Sequence, residues 1–114
     1  MRCLIIINDP PYGTERLYNG LRLAHALSNQ EHDVVVFLMS DAVVAAKKGQ
    51  QTPAGYYNSE YMLDKAVRHG TGLLCSTCLK ARALNESELV KGVQPSSMAA
   101  LAEETIKADR IITF

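Results

Sequence analysis

The chain has 114 residues, of which 47% are hydrophobic and 21% charged, and its 12 Lys and Arg residues balance 12 Asp and Glu residues. A domain of this size buries enough surface to fold without disulfides or metal ions, and the apolar fraction excludes a disordered chain. Zero net charge argues against a nucleic-acid-binding surface, because neutralising phosphates requires an excess of basic residues. It also does little to keep copies of the chain apart, which favours self-association.

The first apolar run, Cys3 to Ile7, ends at Asn8. It is too short to be the core of a signal peptide or to span a membrane. We therefore expect the protein in the cytoplasm, where thiols are kept reduced. Its 3 cysteines are too few for a disulfide scaffold, so the Cys-x-x-Cys pair, Cys75 and Cys78, indicates thiol chemistry or a metal rather than a structural bridge.

Apolar runs alternate with helical patterns along the chain. The first half of the sequence predicts a strand over 1–7, a turn over 8–13, a helix capped by Thr14 and running to about Ser28, a strand over 33–39 and a short helix capped at Ser40 and Asp41. A polar loop over 49–55 follows, then a helix over 56–69 that ends at Gly70, a strand over 71–75 and a short helix over 76–84. The last part predicts a brief strand at 92–93, a helix capped by Ser96 or Ser97, and a closing strand over 111–114. This alternation indicates an α/β domain whose mainly parallel sheet of about five strands carries helices on both faces. Neither a linker nor a repeat interrupts it, so residues 1–114 are predicted to form one domain.

Polar segments follow three of the predicted strands, at 8–13, at Ser40 and Asp41, and at 75–78. Ligands of parallel α/β sheets bind beyond the carboxyl ends of the strands. We therefore expect the three segments to meet in one crevice, with Asn8, Tyr12, Ser40 and Asp41 in its wall.

Cys75 is the nucleophile of these segments. It lies where a strand passes into a helix, and backbone N–H groups in that position lower the pKa of a thiol. Cys78, three residues later, falls on nearly the same helix face, Arg82 adds positive charge, and the hydroxyls of Ser76 and Thr77 can donate hydrogen bonds. The pattern is typical of a reactive thiolate with a resolving partner, and the alternative is that both cysteines are small core residues.

Other sites fit the sequence less well. A structural zinc ion requires four ligands, and Cys3, His25, His32 and His69 do not repeat the Cys-x-x-Cys spacing. A thioredoxin-like site is not indicated, because no Trp precedes the Cys75–Cys78 pair and Ser76-Thr77 stands where such pairs often have Gly-Pro. Neither glycine-rich nucleotide motif occurs. No metal and no cofactor is predicted.

Tyr56, Tyr57 and Tyr61 cluster after the polar loop. No basic stripe accompanies them, so a surface for stacking nucleic-acid bases is not indicated. We expect a packed patch or one that faces another subunit.

Four short stretches from end to end of the chain match one known pattern: 11–14, 37–43, 75–78 with Arg82, and 108–114. Together they resemble the DsrE/DsrF-like family, most closely its small YchN-like branch. The resemblance implies an α/β/α sandwich, flavodoxin-like in broad architecture, that assembles into ring-like hexamers. It also implies a cysteine that carries sulfane sulfur as a persulfide, as in the DsrE and TusD sulfur-relay subunits. By motif the carrier falls on Cys75, with Arg82 at the family's spacing.

The sequence departs from that family at two points. Many relatives have Gly where this chain has Ala83, and the relay subunits use one cysteine in this segment rather than two. A second thiol can discharge a persulfide, which leaves the role of Cys78 open between resolving a persulfide and forming a disulfide.

The leading prediction is a sulfur-relay protein, and thus a sulfurtransferase, in which the Cys75 thiolate takes the outer sulfur of a persulfide or polysulfide. Ser76, Arg82 and the N–H groups after Cys75 stabilise the anion. The alternatives are a thiol–disulfide redox module that uses Cys75 and Cys78, and a non-catalytic oligomeric binding protein. The predicted partners are further copies of the chain, a sulfur-donor protein and a sulfur-acceptor protein, without nucleic acid or membrane.

Overall fold

Five short strands form the sheet on which the fold is built. A computed structural model describes residues 1–114, with strands β1 (Arg2–Ile7), β2 (Asp33–Leu38), β3 (Thr71–Cys75), β4 (Val93–Ser96) and β5 (Arg110–Thr113). All neighbouring strands are parallel, in the order β4-β3-β2-β1-β5. The central strands β1 and β2 carry unbroken apolar runs because helices cover both of their faces.

The helices divide unevenly between the two faces of the sheet. They are α1 (Arg16–Asn29), α2 (Ser59–Val67), α3 (Ser76–Ala81) and α4 (Met98–Lys107), with 3-10 segments at Ser40–Ala46 and Glu86–Glu88. β2, β3 and β4 are each added beside the preceding strand, on the same side of it. The right-handed crossovers that connect them therefore put α1, α2 and α3 on one face of the sheet. The chain then returns across the sheet to β5, which puts α4 on the opposite face. None of the helices combines the length and the apolarity needed to cross a membrane.

Two apolar clusters hold these layers together. The larger contains 19 buried residues under α1, α2 and α3. The smaller, under α4, consists of Leu4, Val35, Phe37 and Leu101. Cys75 packs against both clusters, which places it at the carboxyl end of the sheet, where the two layers of helices meet.

The predicted α/β sandwich with a mainly parallel sheet is confirmed. The strand order differs from that of flavodoxin, so the likeness to that fold lies in the layers alone. β4 extends from Val93 to Ser96 rather than ending at 93, and Pro95 is tolerated there because β4 is an edge strand. Ser97 rather than Ser96 caps α4, its hydroxyl accepting the N–H of Ala100 at 3.2 Å.

Three helices begin or end elsewhere than predicted. Thr14 donates its hydroxyl to the Asp9 carboxylate at 2.8 Å, and α1 starts at Arg16 without a side-chain cap. The side chain of Asn58 caps α2, so Tyr56 and Tyr57 precede the helix. α3 ends at Ala81, because Ala83 adopts a left-handed φ of 54° that a helix cannot continue through.

The sequence predicts that Gly70 ends a helix, but the structure requires glycine at this position for a different reason. The helix α2 already ends at Val67, and the φ of Gly70 is not positive. A Cβ atom at this position would lie 2.4 Å from the carbonyl oxygen of Val34 in β2. Glycine therefore allows the chain to pass directly against β2 as it enters β3.

Candidate functional site

Cys75 is the last residue of β3 and the residue immediately before α3. Its Sγ accepts the N–H of Cys78 at 3.3 Å, and the hydroxyl of Thr77 lies 3.4 Å away. The first N–H groups of a helix have no partner within the helix. The sulfur of Cys75 therefore occupies the position in which a serine or aspartate oxygen ordinarily caps a helix, and the thiol stays partly exposed.

The hydrogen bonds at this position change the acidity of Cys75. Burial raises the pKa of the thiol. Hydrogen bonds from the Cys78 thiol, from the Thr77 hydroxyl and from the backbone N–H groups of both residues lower it more strongly. The net pKa lies below that of an ordinary cysteine, which increases the thiolate fraction at neutral pH.

Cys78 is shifted in the opposite direction. Burial raises the pKa of its thiol, and the hydrogen bond with Cys75 raises it further; the N–H of Ser40 and the charge of Arg82 lower it, without reversing the shift. Its Sγ accepts the Ser40 N–H at 3.1 Å. Of the two thiols, Cys75 is therefore the one that ionises first as the pH rises.

Arg82 acts on this pair through Cys78. Its Nε and Nη2 donate to Oδ1 of Asp41 at 3.0 and 2.7 Å, and its Nη1 donates to the Cys78 carbonyl at 3.0 Å. No hydrogen bond joins the guanidinium to Cys75. Asp41 and Arg82, 41 positions apart in the chain, thus tie the segment after β2 to α3.

The hydroxyl of Ser76 forms its hydrogen bond away from the Cys75 sulfur. Its hydroxyl donates to the carbonyl oxygen of Ser96 in β4 at 2.8 Å. This bond fixes the start of α3 to the edge of the sheet. The Thr77 hydroxyl, one residue later, is the one that reaches the sulfur of Cys75.

The turn after β1 reaches the crevice only in part. Asn8 bonds to the carbonyl oxygen of Phe114 through its N–H at 2.9 Å and its amide at 3.4 Å, because β5 rather than β2 lies on that side of β1. Tyr12 does lie near the second segment. It lines, with Asp41, a cavity of about 280 Å³ whose wall also includes Pro10, Pro11, Val44, Lys47 and Gln50. Ser40 and Asp41 are therefore the segment that contacts both of the others.

Gln50 orders this part of the crevice, a role that the polar composition of its predicted loop does not indicate. The Tyr12 hydroxyl donates to the Gln50 side-chain oxygen and accepts the N–H of Ser59 at 2.9 Å. The Tyr12 N–H donates to the hydroxyl of Tyr57, and the two rings stack at 4.9 Å. Tyr57 is thus part of a packed patch, whereas Tyr56 is 73% exposed.

The remaining thiol and histidines lie apart from this site. Cys3 is buried in β1. The His25 ring lies 3.3 Å from the amide of Asn29, and the His32 ring 3.4 Å from the chain's N-terminus. No three His, Cys, Asp or Glu residues come together in a group that could hold a metal ion.

The sequence profile of the DsrE/DsrF-like family matches residues 1–114. The chain belongs to the DsrE/DsrF-like family. Within this family it is 40% identical over 116 residues to the protein YchN of Escherichia coli, covering 99% of this chain and 98% of YchN. The crystal structure of YchN superposes with a TM-score of 0.92 and covers 100% of this chain and 99% of the other.

A more distant relative has a named activity. The sulfurtransferase TusD of Salmonella arizonae is 30% identical over 132 residues, covering 100% of both chains. The chain is therefore related to a sulfurtransferase across its whole length.

Proposed function

We propose that this protein is a cytoplasmic sulfur-relay protein that carries sulfane sulfur as a persulfide on Cys75. The observation that supports it is the set of hydrogen bonds from Thr77 and Cys78 that lowers the pKa of Cys75. A thiolate is the form of cysteine that attacks sulfur. The relationship to TusD, a sulfurtransferase, supports the same chemistry.

Loading is a displacement at the outer sulfur of a donor persulfide, R–S–SH. The Cys75 thiolate forms a bond to that sulfur, the bond between the two donor sulfurs breaks, and the donor leaves as the thiolate R–S⁻. The product is Cys75–S–SH. In the second step an acceptor thiolate attacks the outer sulfur, and Cys75 leaves as a thiolate. Because a thiol of lower pKa is a better leaving group, the same hydrogen bonds assist the release.

The intact mass of the protein tests the loading step. Reduced protein is incubated with inorganic polysulfide, desalted and weighed, and we expect a gain of sulfur atoms that dithiothreitol removes. Cys75→Ser is expected to abolish the gain, because serine forms no persulfide. Cys3→Ser is the matched control and keeps it, because Cys3 is only 3% exposed. No gain in the wild type, or an unchanged gain in Cys75→Ser, would contradict the proposal.

A thiol–disulfide redox module is the second candidate. It is favoured by the closeness of the pair, since the Cys78 N–H donates to the Cys75 sulfur at 3.3 Å. The two functions separate on Cys78→Ser. This variant abolishes a redox activity that needs both thiols, but leaves Cys75 able to take up sulfur.

We also propose that the protein is a homo-oligomer, a hexamer or a smaller ring, that exchanges sulfur with donor and acceptor proteins. Large apolar side chains on α4 and β5 support this, since Met98 is 64%, Ile106 85% and Ile111 45% exposed. Exposed apolar surface of this kind is typical of interfaces. Sedimentation equilibrium is expected to give a multiple of the chain mass, and a monomer at micromolar concentration would contradict the proposal.

A further inference from the structure

The backbone of Ser40 is in an unusual conformation. Its φ is 54°, in the left-handed region that residues other than glycine seldom adopt. The Ser40 hydroxyl bonds to no other protein group, whereas its N–H donates to Sγ of Cys78 at 3.1 Å. The contact with the site is therefore made by the backbone. The N–H belongs to the peptide plane between Met39 and Ser40, and a change in the φ of Ser40 would have to be compensated by a rotation of that plane.

The chain on both sides holds Ser40 in place. The N–H of Met39 donates to the carbonyl of Ile7 in β1 at 3.0 Å, and the N–H of Ala42 donates to the carbonyl of Met39 at 3.1 Å. Ser40 begins the 3-10 segment, so its own N–H has no partner within that segment. The N–H is thus fixed in direction and free to bond to a sulfur.

We propose that Ser40 is a positioning residue whose backbone N–H keeps Cys75 and Cys78 apart as two separate sulfurs rather than joined in a disulfide. The inference rests on the proposed function and deepens it, because a persulfide carrier requires an open pair. A thiol or thiolate sulfur accepts the N–H of Ser40 in the open state. The sulfur of Cys78 is a weaker acceptor in a disulfide than as a thiol or thiolate, so the hydrogen bond from Ser40 stabilises the open pair more than the disulfide.

The contact opposes one defined reaction of the loaded protein. In that reaction the Cys78 thiolate attacks Sγ of Cys75–S–SH, a disulfide forms between the two cysteines, and the outer sulfur leaves as HS⁻. The two cysteine sulfurs together supply the two electrons that reduce the sulfane sulfur to sulfide. The Ser40 N–H bonds more strongly to the free Cys78 sulfur than to the disulfide, and so shifts the equilibrium of this reaction away from the disulfide and toward the carried sulfur.

The equilibrium between the dithiol and the disulfide, measured against reduced and oxidised glutathione, tests this role without a persulfide. Ser40→Val keeps an N–H but disfavours a positive φ, because branched side chains are strained there. We expect its equilibrium to shift toward the disulfide by about three- to tenfold, the effect of losing one hydrogen bond. Ser40→Gly keeps both the N–H and the φ, and its equilibrium should stay within about twofold of the wild type.

Circular dichroism establishes that each variant is folded, and Ser40→Thr, which is also β-branched but closer to serine, replaces Ser40→Val if that variant does not fold. An unchanged equilibrium in the folded β-branched variant, or an equal shift in Ser40→Gly, would overturn the role of Ser40. The loading experiment decides the proposed function separately. Loss of sulfur uptake together with a shifted glutathione equilibrium would reject persulfide carriage and leave the positioning role of Ser40 intact.

Discussion

Cys78→Ala is expected to lengthen the lifetime of a persulfide on Cys75 by at least about tenfold, since a thiol held beside its target acts at a very high effective concentration. In the wild type the Cys78 N–H donates to the Cys75 sulfur at 3.3 Å, which holds the Cys78 residue beside its target, whereas the remaining cysteine, Cys3, is buried in β1. Without it, discharge depends on thiols in solution. The measurement is the decay of the persulfide mass after excess polysulfide is removed, together with the release of sulfide.

Cys78→Ser is the matched control, because it removes the nucleophile but keeps a hydroxyl that can donate to Cys75. We expect both variants to lengthen the lifetime of the persulfide, because both lack the Cys78 nucleophile. They should differ in the pKa of Cys75, which rises in Cys78→Ala because the donor is lost. Equal decay in the wild type and in both variants would show that Cys78 does not resolve the persulfide.

The sequence was sufficient to predict the order of the elements and the location of Cys75. Its local patterns encode both, since an apolar run that ends in Cys75 and is followed by a helical pattern fixes the cysteine at a strand end. The i, i+3 spacing likewise predicts that Cys78 lies on the same side of α3 as Cys75. These are consequences of neighbouring residues, which a sequence shows directly.

The contacts that tune the site come from residues distant in sequence. The Ser40 N–H reaches Cys78 across 38 positions and depends on a backbone angle that no side chain signals. Arg82 donates to Asp41 rather than to Cys75, and this contact also joins residues that are far apart in the sequence. Asn8 turns toward Phe114 because β5 lies beside β1, and strand order does not follow from the periodicity of each strand.

Removing a hydrogen-bond donor to Cys75 is expected to change the ionisation of its thiol. Burial raises its pKa, but hydrogen bonds from the Cys78 thiol, the Thr77 hydroxyl and the backbone N–H groups of both residues together more than compensate. A lower pKa means that the thiolate is present at lower pH and disappears only as the pH falls through that value. Thr77→Val, similar in shape but without the hydroxyl, is expected to raise the pKa and to slow the reaction of Cys75 near neutral pH about fivefold, the effect of one hydrogen bond. Ser76→Ala is the control, because the Ser76 hydroxyl bonds to Ser96 instead.

The pH dependence of the alkylation of Cys75 by iodoacetamide tests the central claim most directly. It is measured in the double variant Cys3→Ser, Cys78→Ser, in which Cys75 is the sole thiol and keeps a hydroxyl donor at position 78. We expect the midpoint to lie below that of a cysteine in an unstructured peptide measured alongside, and to move upward in Thr77→Val. A midpoint at or above that of the peptide would contradict a thiolate held ready at the end of β3, and with it the proposed sulfur carriage.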